Sequence, residues 1–234
     1  MRPEIDLYAD GAVVEEMLAA RVEGLVTGFT TNPTLMRKAG VTDYRAWSRQ
    51  ALEAVPDLPI SFEVLADDFP GMARQAREIA AWGSNVFVKI PVTSIQGVSS
   101  APLIHELSAE GVKINATAIL TLDQVRTVAA ALAPGVPSIV SIFAGRIADT
   151  GLDPEPIMRE ARAFLAPLPE VRLLWASARE LLNIFQAQAC GCDIITVSPD
   201  ILKKYAMVGM DLAALSLETV KMFSRDAAAA GFSL

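Results

Sequence analysis

The chain has 234 residues, of which 52% are hydrophobic and 20% are charged, and its formal net charge is −7. This composition supports a large buried core and excludes a disordered chain. The acidic balance gives no general electrostatic attraction for nucleic acid or for an anionic membrane, so we expect neither as a partner.

The N-terminus and the cysteines bear on where the protein is found. The first residues, MRPEIDLYADGA, carry acids where a signal peptide needs an apolar stretch, and no apolar run approaches the length of a membrane span. Cys190 and Cys192 are separated by one glycine, a spacing that is awkward for a disulfide and too short for a typical pair of zinc ligands. We therefore expect two reduced thiols in a cytoplasmic protein.

Short β-rich segments alternate with longer helical segments along the chain. The predicted strands are residues 5–9, 24–29, 60–65, 85–90, 112–116, 138–143, 171–176 and 194–197. The predicted helices are residues 12–21, 43–54, 71–82, 103–109, 122–132, 155–165, 179–189 and 211–229. This alternation is typical of an α/β fold, either a closed barrel or a large doubly wound sheet. The length suits one barrel, so we predict a single (β/α)8 TIM-barrel catalytic domain over residues 1–234, with an extra C-terminal helix.

Local signals agree with these elements. NVFVKI and SIVSIF are continuous apolar runs, which suit strands that are covered on both faces of a parallel sheet. Thr121 and Asp123 stand at the start of one predicted helix, and Gly111 follows the end of another.

Lys89 interrupts the apolar run VFVKIPV close to the end of the predicted fourth strand. Lysine is rarely fully buried. The side chain is either an amine that extends to water or a carboxylate at the barrel mouth, or a nucleophile that attacks a carbonyl as the free base. Because the carboxyl ends of barrel strands carry the chemistry of this fold, the other polar residues at those ends bear on the choice.

Polar side chains stand at or just beyond the ends of most other predicted strands. For any one of them, helix capping or turn formation is the better interpretation. Capping alone does not readily explain so many around one lysine, and we predict that they share one active site. The set is Asp10, Asn32, Glu63, Asn115, Thr117, Ser141, Arg146, Ser177 and Arg179.

The set contains groups for two chemical tasks. Lys89 with the carboxylates of Asp10 and Glu63 supplies a nucleophile and proton carriers, the minimum for Schiff-base chemistry. The two arginines and Ser177 follow the sixth and seventh strands, where barrel enzymes often bind phosphate through charge-assisted hydrogen bonds. The alternative for each arginine alone is a surface ion pair, which is common and weak.

At these residues the sequence resembles the transaldolase family, which includes the short fructose 6-phosphate aldolases. The resemblance rests on LYAD, GFTTNPTL, FEV, VFVKIPVT, INATAI, SIFAGRI and ASAR, which follow this order over nearly the whole chain. It implies transfer of a dihydroxyacetone unit from a ketose phosphate, such as fructose 6-phosphate or sedoheptulose 7-phosphate, to an aldose phosphate. It implies no metal and no organic cofactor.

The resemblance also implies a role for each site residue. Lys89 would form the Schiff base, Asp10 would act as the acid and base in carbon–carbon cleavage, and Glu63 and Thr117 would hold a catalytic water. The residues implied to bind substrate hydroxyls and the dihydroxyacetone unit are Asn32, Asn115 and Ser141. Those implied to bind phosphate are Arg146, Ser177 and Arg179.

The residues at two positions help to distinguish transfer of the dihydroxyacetone unit from free aldol cleavage. The short fructose 6-phosphate aldolases typically carry Gln in place of Glu63 and Tyr in place of Phe143, and this chain follows the transaldolase pattern at both. A phenol at position 143 could position water at the enamine and favour release of free dihydroxyacetone, whereas a phenyl ring cannot. We therefore predict transfer, with Phe143 among the residues that contact the substrate.

Other functions stay open or are disfavoured. Free aldol cleavage and a non-catalytic sugar-phosphate-binding barrel are the alternatives to transfer. A metal-dependent aldolase needs a cluster of His and acidic ligands, but the chain has one histidine, His105, which we expect on the outer face of a helix. We find no Gly-rich strand–helix turn of the kind that binds nucleotides.

Size and the C-terminal helix bear on substrate and assembly. The chain is much shorter than the long transaldolases, so its donor and acceptor could lie outside the pentose phosphate pathway. Short members of the family form rings and long ones form dimers, so the resemblance implies a homo-oligomer. The apolar residues of the terminal helix either cover their own barrel or dock on a neighbour; they include Leu215, Val220, Met222 and Phe223.

Overall fold

The computed structural model describes residues 3–232, in which eight parallel strands form a closed barrel in chain order. Tyr8 in the first strand lies opposite Gly28 of the second and Thr196 of the last, which closes the ring. The predicted (β/α)8 barrel is therefore confirmed, and the doubly wound sheet is excluded. The strands are β1 (Asp6–Asp10), β2 (Gly28–Thr30), β3 (Ile60–Glu63), β4 (Val86–Pro91), β5 (Ile114–Ile119), β6 (Ser138–Ile142), β7 (Val171–Trp175) and β8 (Ile194–Val197).

Each predicted helix is present, with ends close to the predicted ones. These helices are α1 (Val14–Glu23), α3 (Tyr44–Ala54), α4 (Phe69–Ala80), α5 (Ala101–Ala109), α6 (Leu122–Ala131), α8 (Glu155–Leu165), α9 (Leu182–Ala189) and α11 (Leu212–Ala230). Short helical segments that were not predicted follow β2, β6 and β8, because one or two turns carry too little periodicity to be recognised. They are α2 (Pro33–Lys38), α7 (Ala144–Asp149), α10 (Pro199–Lys203) and a 3-10 helix (Lys204–Met207).

Three strand predictions had wrong boundaries. The predicted third strand ran to Leu65, but β3 ends at Glu63. The predicted second strand began at Gly24, but Gly24 has a φ of 70° and ends α1 in the left-handed conformation, so β2 begins only at Gly28. The predicted fifth strand ended at Ala116, but β5 continues to Ile119. Other local predictions are confirmed. Thr121 forms a capping box at the start of α6, and every residue of β6 is buried.

Inward-facing side chains build two layers inside the barrel, because side chains two residues apart on a strand point to the same face. The lower layer is an apolar cluster that contains Tyr8, Ile139, Leu174 and Ile194, with Phe87 packed against it. Two residues further along four of these strands, polar side chains line a cavity; they are Asp10, Lys89, Ser141 and Thr196. The apolar layer therefore forms the floor on which the polar layer stands.

The C-terminal helix α11 does not cover its own barrel. None of its residues is buried, and the exposed ones include Val220, Met222 and Phe223. Among the described residues, no helix combines the length and the apolar character that crossing a membrane requires. The predicted domain runs over residues 1–234, so residues 1–2 and 233–234 of that prediction lie outside the described part of the chain.

Candidate active site

Every predicted catalytic and substrate-binding residue lines one cavity of about 550 Å³ at the carboxyl ends of the barrel strands. This is the end of the barrel that holds the active sites of enzymes with this fold. The structure thus brings together the residues that the sequence singled out, although they are spread from β1 to the loop after β7. They are Asp10, Asn32, Glu63, Lys89, Asn115, Thr117, Ser141, Phe143, Arg146, Ser177 and Arg179.

The Lys89 amine lies on the floor of this cavity. Lys89 is 6% exposed, and its Nζ donates a hydrogen bond of 2.7 Å to the carbonyl oxygen of Thr31. The Glu63 carboxylate lies 3.4 Å away, because Glu63 and Lys89 are register partners on neighbouring strands. The amine therefore does not extend to bulk water, and a carboxylate stands within reach of its protons.

A chain of buried hydrogen bonds lies on the other side of the lysine. Asn115, the register partner of Lys89 on β5, is fully buried. Its Nδ2 donates to Ser61 Oγ at 3.0 Å, and its Oδ1 accepts from Ser141 Oγ at 2.7 Å. These bonds fix the amide between two hydroxyl groups, so the polar surface beside Lys89 is held in a single arrangement.

Asp10 lies at the end of β1 and is held by a pair of threonines. Thr30 Oγ1 donates to Asp10 Oδ1 at 2.8 Å and is 2.5 Å from Thr196 Oγ1. Burial raises the pKa of Asp10 above its ordinary value, while the positive charge of Lys89 and the Thr30 hydrogen bond oppose the shift. A carboxyl whose pKa is raised in this way is better suited to take up and return a proton near neutral pH.

Thr117 stands where the barrel backbone becomes irregular. Its Oγ1 is buried and has no hydrogen-bond partner among residues 3–232, which leaves the hydroxyl available to a ligand or water. The next residue, Ala118, has a φ of 61°, and the pairing of β5 with β6 shifts register there. Ser177, with a φ of 64°, is the only other non-glycine residue of the described chain that has a positive φ. Both Ala118 and Ser177 line the cavity. Left-handed backbone of this kind clusters at functional sites.

The predicted phosphate ligands lie on the wall formed by α7 and the loop after β7. Arg146 and Arg179 are both exposed, and the Arg146 guanidinium carbon lies 5.9 Å from the centre of the Phe143 ring. Arg179 pairs with Asp149, its Nε donating to Oδ1 at 2.9 Å and its Nη2 donating to Oδ2. Arg146 forms no ion pair within the described residues. Both guanidinium groups border the same cavity, but one is already engaged by a carboxylate.

Asn32 performs the capping role that its residue type favours. Its Oδ1 accepts from the backbone N–H of Leu35 at 3.0 Å and so begins α2. Its Nδ2 is the group that remains for a ligand. Lys38, at the end of α2, also lines the cavity and was not predicted, since nothing in the sequence separates it from other exposed lysines.

Two further cavity residues, Thr30 and Thr196, were missed by sequence reasoning. Both lie in strands and hydrogen-bond to each other above the apolar floor. Their positions could have been found from the period-two pattern, since Thr196 lies two residues beyond the inward-facing Ile194. Threonine is common in strands, so the residue type alone gave no signal.

The remaining titratable candidates lie away from this cavity. His105 is exposed on α5, as predicted. Cys190 and Cys192 are both buried and free, and burial raises the pKa of each thiol. In the part of the chain that the structure describes, no three His, Cys, Asp or Glu side chains come together in a way that could hold a metal ion.

Comparison with known proteins gives a consistent match. The family described as Transaldolase/Fructose-6-phosphate aldolase matches residues 7–234. A protein named "Probable transaldolase" from Dehalococcoides mccartyi is 36% identical over 197 residues, covering 84% of this chain and 88% of that protein. A protein of the same name from Thermoanaerobacter sp. is 34% identical over 215 residues, covering 92% of this chain and 94% of that protein.

Solved structures show the same architecture at lower identity. A crystal structure of 2,3-dimethylmalate lyase superposes with a TM-score of 0.59 at 15% identity, covering 96% of this chain and 84% of that chain. A structure titled "Native KDPGal structure" superposes with a TM-score of 0.53 at 12% identity, covering 84% of this chain and 83% of that chain. These similarities concern the fold alone.

Proposed function

This chain belongs to the transaldolase/fructose-6-phosphate aldolase family, and we propose that it transfers a dihydroxyacetone unit between sugar phosphates through a Schiff base on Lys89. The observation that carries the proposal is the position of the Lys89 amine, which is buried on the cavity floor 3.4 Å from the Glu63 carboxylate. A ketose phosphate such as fructose 6-phosphate or sedoheptulose 7-phosphate is the donor, and an aldose phosphate is the acceptor.

The first step is imine formation. The neutral Lys89 Nζ attacks the ketose carbonyl carbon, a C–N bond forms, and the carbonyl oxygen becomes the hydroxyl of a carbinolamine. That hydroxyl takes up a proton and leaves as water, which gives the protonated imine. Glu63 lies beside the amine, and the Thr117 hydroxyl lacks a protein partner within the described residues, so both are placed to hold the water that moves these protons.

The second step is carbon–carbon cleavage. Asp10 takes the proton from the substrate hydroxyl as the neighbouring C–C bond breaks, and the bonding electrons move into the imine to form an enamine. The aldose fragment leaves, and the three-carbon unit stays on Lys89. The raised pKa of Asp10, caused by its burial, favours this proton uptake and the later return of the proton to the product.

Substrate binding is divided along the cavity. The Asn115 and Ser141 pair beside Lys89 suits the hydroxyls of the dihydroxyacetone unit, and Asn32 offers its amide nitrogen from the residue that caps α2. The phosphate binds at the wall formed by α7 and the loop after β7, and the cavity residues of that wall include Arg146, Ser177 and Arg179. A guanidinium fork matches the oxygen geometry of a phosphate monoester, which supports this assignment.

Transfer and free aldol cleavage differ in what happens to the enamine. Phe143 lines the cavity and carries no hydroxyl that could deliver a proton to the enamine carbon, which favours transfer to an aldehyde acceptor. Fructose 6-phosphate consumption is therefore measured with and without an aldose phosphate. We expect consumption to require the acceptor and to match new ketose formation. Equal consumption without the acceptor, together with free dihydroxyacetone, would favour the aldolase alternative.

A further inference from the structure

We propose that Asp149 is a positioning residue, which holds Arg179 in the orientation in which its guanidinium receives the substrate phosphate. The inference rests on the proposed function, because it takes the wall of α7 to be a site for a phosphate ester. It goes beyond that function by adding a residue that lies outside the cavity lining and acts through Arg179.

The geometry of the ion pair decides which edge of Arg179 is free. Both Asp149 carboxylate oxygens accept from the guanidinium, one from Nε and the other from Nη2. This bidentate pairing fixes the plane of the guanidinium group as well as its position. It leaves the Nη1 amino group with no hydrogen bond among residues 3–232, so two donors of a pre-oriented arginine remain for phosphate oxygens.

A second contact joins the same two segments. A Cβ on Gly145 would lie 1.7 Å from the carbonyl oxygen of Ser177, so only glycine allows α7 to approach the loop after β7 this closely. The loop is also fixed from its other side, where Asn183 Oδ1 accepts from the backbone N–H of Arg179 at 2.8 Å. The Arg179–Asp149 pair therefore completes a contact whose backbone is already held in place.

Charge explains why a carboxylate belongs beside a phosphate site. Arg146 and Asp149 lie one turn apart on α7. The hydrogen bond from Arg179 lowers the pKa of Asp149, and the positive charges of Arg179 and Arg146 lower it further. The carboxylate thus stays ionised and offsets part of the repulsion between the two guanidinium groups. Arg146 stays unpaired in the described chain, which keeps one full positive charge for the phosphate.

The test compares Asp149→Asn with Asp57→Asn. Asp57 forms a similar exposed ion pair with Arg21, with its Oδ1 2.6 Å from Nε, but neither residue lines the cavity. We expect Asp149→Asn to raise the KM for fructose 6-phosphate about threefold to tenfold, because the Arg179 side chain must then be ordered on binding. In Asp149→Asn, the kcat at saturation and the KM for unphosphorylated fructose should change much less. Asp149→Glu should have a KM for fructose 6-phosphate between those of Asp149→Asn and wild type. Asp57→Asn should match wild type.

Two outcomes overturn the proposal. An unchanged KM for fructose 6-phosphate in Asp149→Asn means that the ion pair is only a surface contact. A lower KM means that Asp149 competes with the phosphate for Arg179. The affinity for inorganic phosphate, followed by phosphorus NMR titration, reports on this wall without any catalysis. Loss of phosphate affinity in Asp149→Asn would support the positioning role even if no ketose were turned over. Failure of the proposed function would show differently, as the absence of a lysine adduct in the wild-type protein.

Discussion

Glu63 and Lys89 lie directly opposite each other on β3 and β4, and their carboxylate oxygen Oε2 and amine Nζ are 3.4 Å apart. Strand register produces this relationship, since a slip of one residue would turn one of the two side chains to the outside of the barrel. The proposed mechanism depends on it, because a nucleophilic amine needs a nearby group to carry protons while the imine forms.

Replacing Asp10 with Asn should separate the two chemical steps. The amide cannot accept the hydroxyl proton, so we expect the rate of ketose cleavage to fall by about 10²- to 10⁴-fold, the usual range for loss of general acid–base catalysis. Imine formation should persist, so borohydride should trap the whole ketose phosphate on the protein rather than the three-carbon unit. Asp57→Asn is the control, and a cleavage rate near wild type in Asp10→Asn would exclude Asp10 as the base.

The same substitution should change how stability depends on pH. Burial raises the pKa of Asp10, so the folded protein holds this proton more tightly than the unfolded chain does. The resulting stability is complete below the unfolded pKa of about 3.9 and is lost as the pH rises through the folded pKa. The free energy of unfolding of wild type should therefore fall, relative to that of Asp10→Asn, as the pH is raised from 4 to 8. A difference that is independent of pH would contradict this expectation.

Phe143→Tyr should change the fate of the enamine. The new phenol would face the cavity and could deliver a proton to the enamine carbon, so the ratio of free dihydroxyacetone to transferred product should rise severalfold. Phe164→Tyr, on α8 and outside the cavity lining, is the matched control. Both products are measured with a limiting aldose phosphate. An unchanged ratio in Phe143→Tyr would remove the argument that the phenyl ring favours transfer.

We propose that α11 packs against another copy of the chain, because its apolar side chains are left exposed by their own barrel. Leu217 and Phe223 are 54% and 62% exposed, which is unusual for large apolar residues on one helix. The native mass should be a multiple of 25.0 kDa and should fall in the double variant Leu217→Lys, Phe223→Lys. Ser216→Lys, on the same exposed helix, is the control, and a monomeric wild-type protein in light scattering would refute the proposal.

Much of this fold could be predicted from the sequence, because the barrel repeats one pattern of an apolar strand followed by a helix. Apolar runs such as that of β6 identify strands buried on both faces, and a lysine inside one of them is conspicuous. The site residues that could be found were polar or charged residues that interrupt or end an apolar strand, such as Glu63. The family resemblance then supplied roles that residue types alone leave open.

The roles of some residues could not be predicted from the sequence, because these roles depend on contacts between segments that are distant along the chain. Thr196 is an ordinary strand residue until the barrel closes and brings it to Thr30 and Asp10. Asp149 is one of many acidic residues at a helix end, and only its bidentate contact with Arg179 distinguishes it. The short helices that carry such residues are held by their packing rather than by periodic sequence.

Borohydride trapping shows whether Lys89 forms a Schiff base with the substrate, because reduction turns the imine into a stable amine. The wild-type protein and two variants, Lys89→Ala and Lys113→Ala, are incubated with fructose 6-phosphate and reduced, and their intact masses are measured. Lys113 is the control, because its Nζ donates to the Ser84 carbonyl and the residue lies outside the cavity. We predict a mass gain that matches a reduced dihydroxyacetone or ketose adduct in wild type and in Lys113→Ala, and none in Lys89→Ala. The wild-type adduct should be drained when an aldose phosphate is added before reduction. An adduct that persists in Lys89→Ala, or no adduct in wild type with any ketose, would exclude Lys89 as the Schiff-base residue.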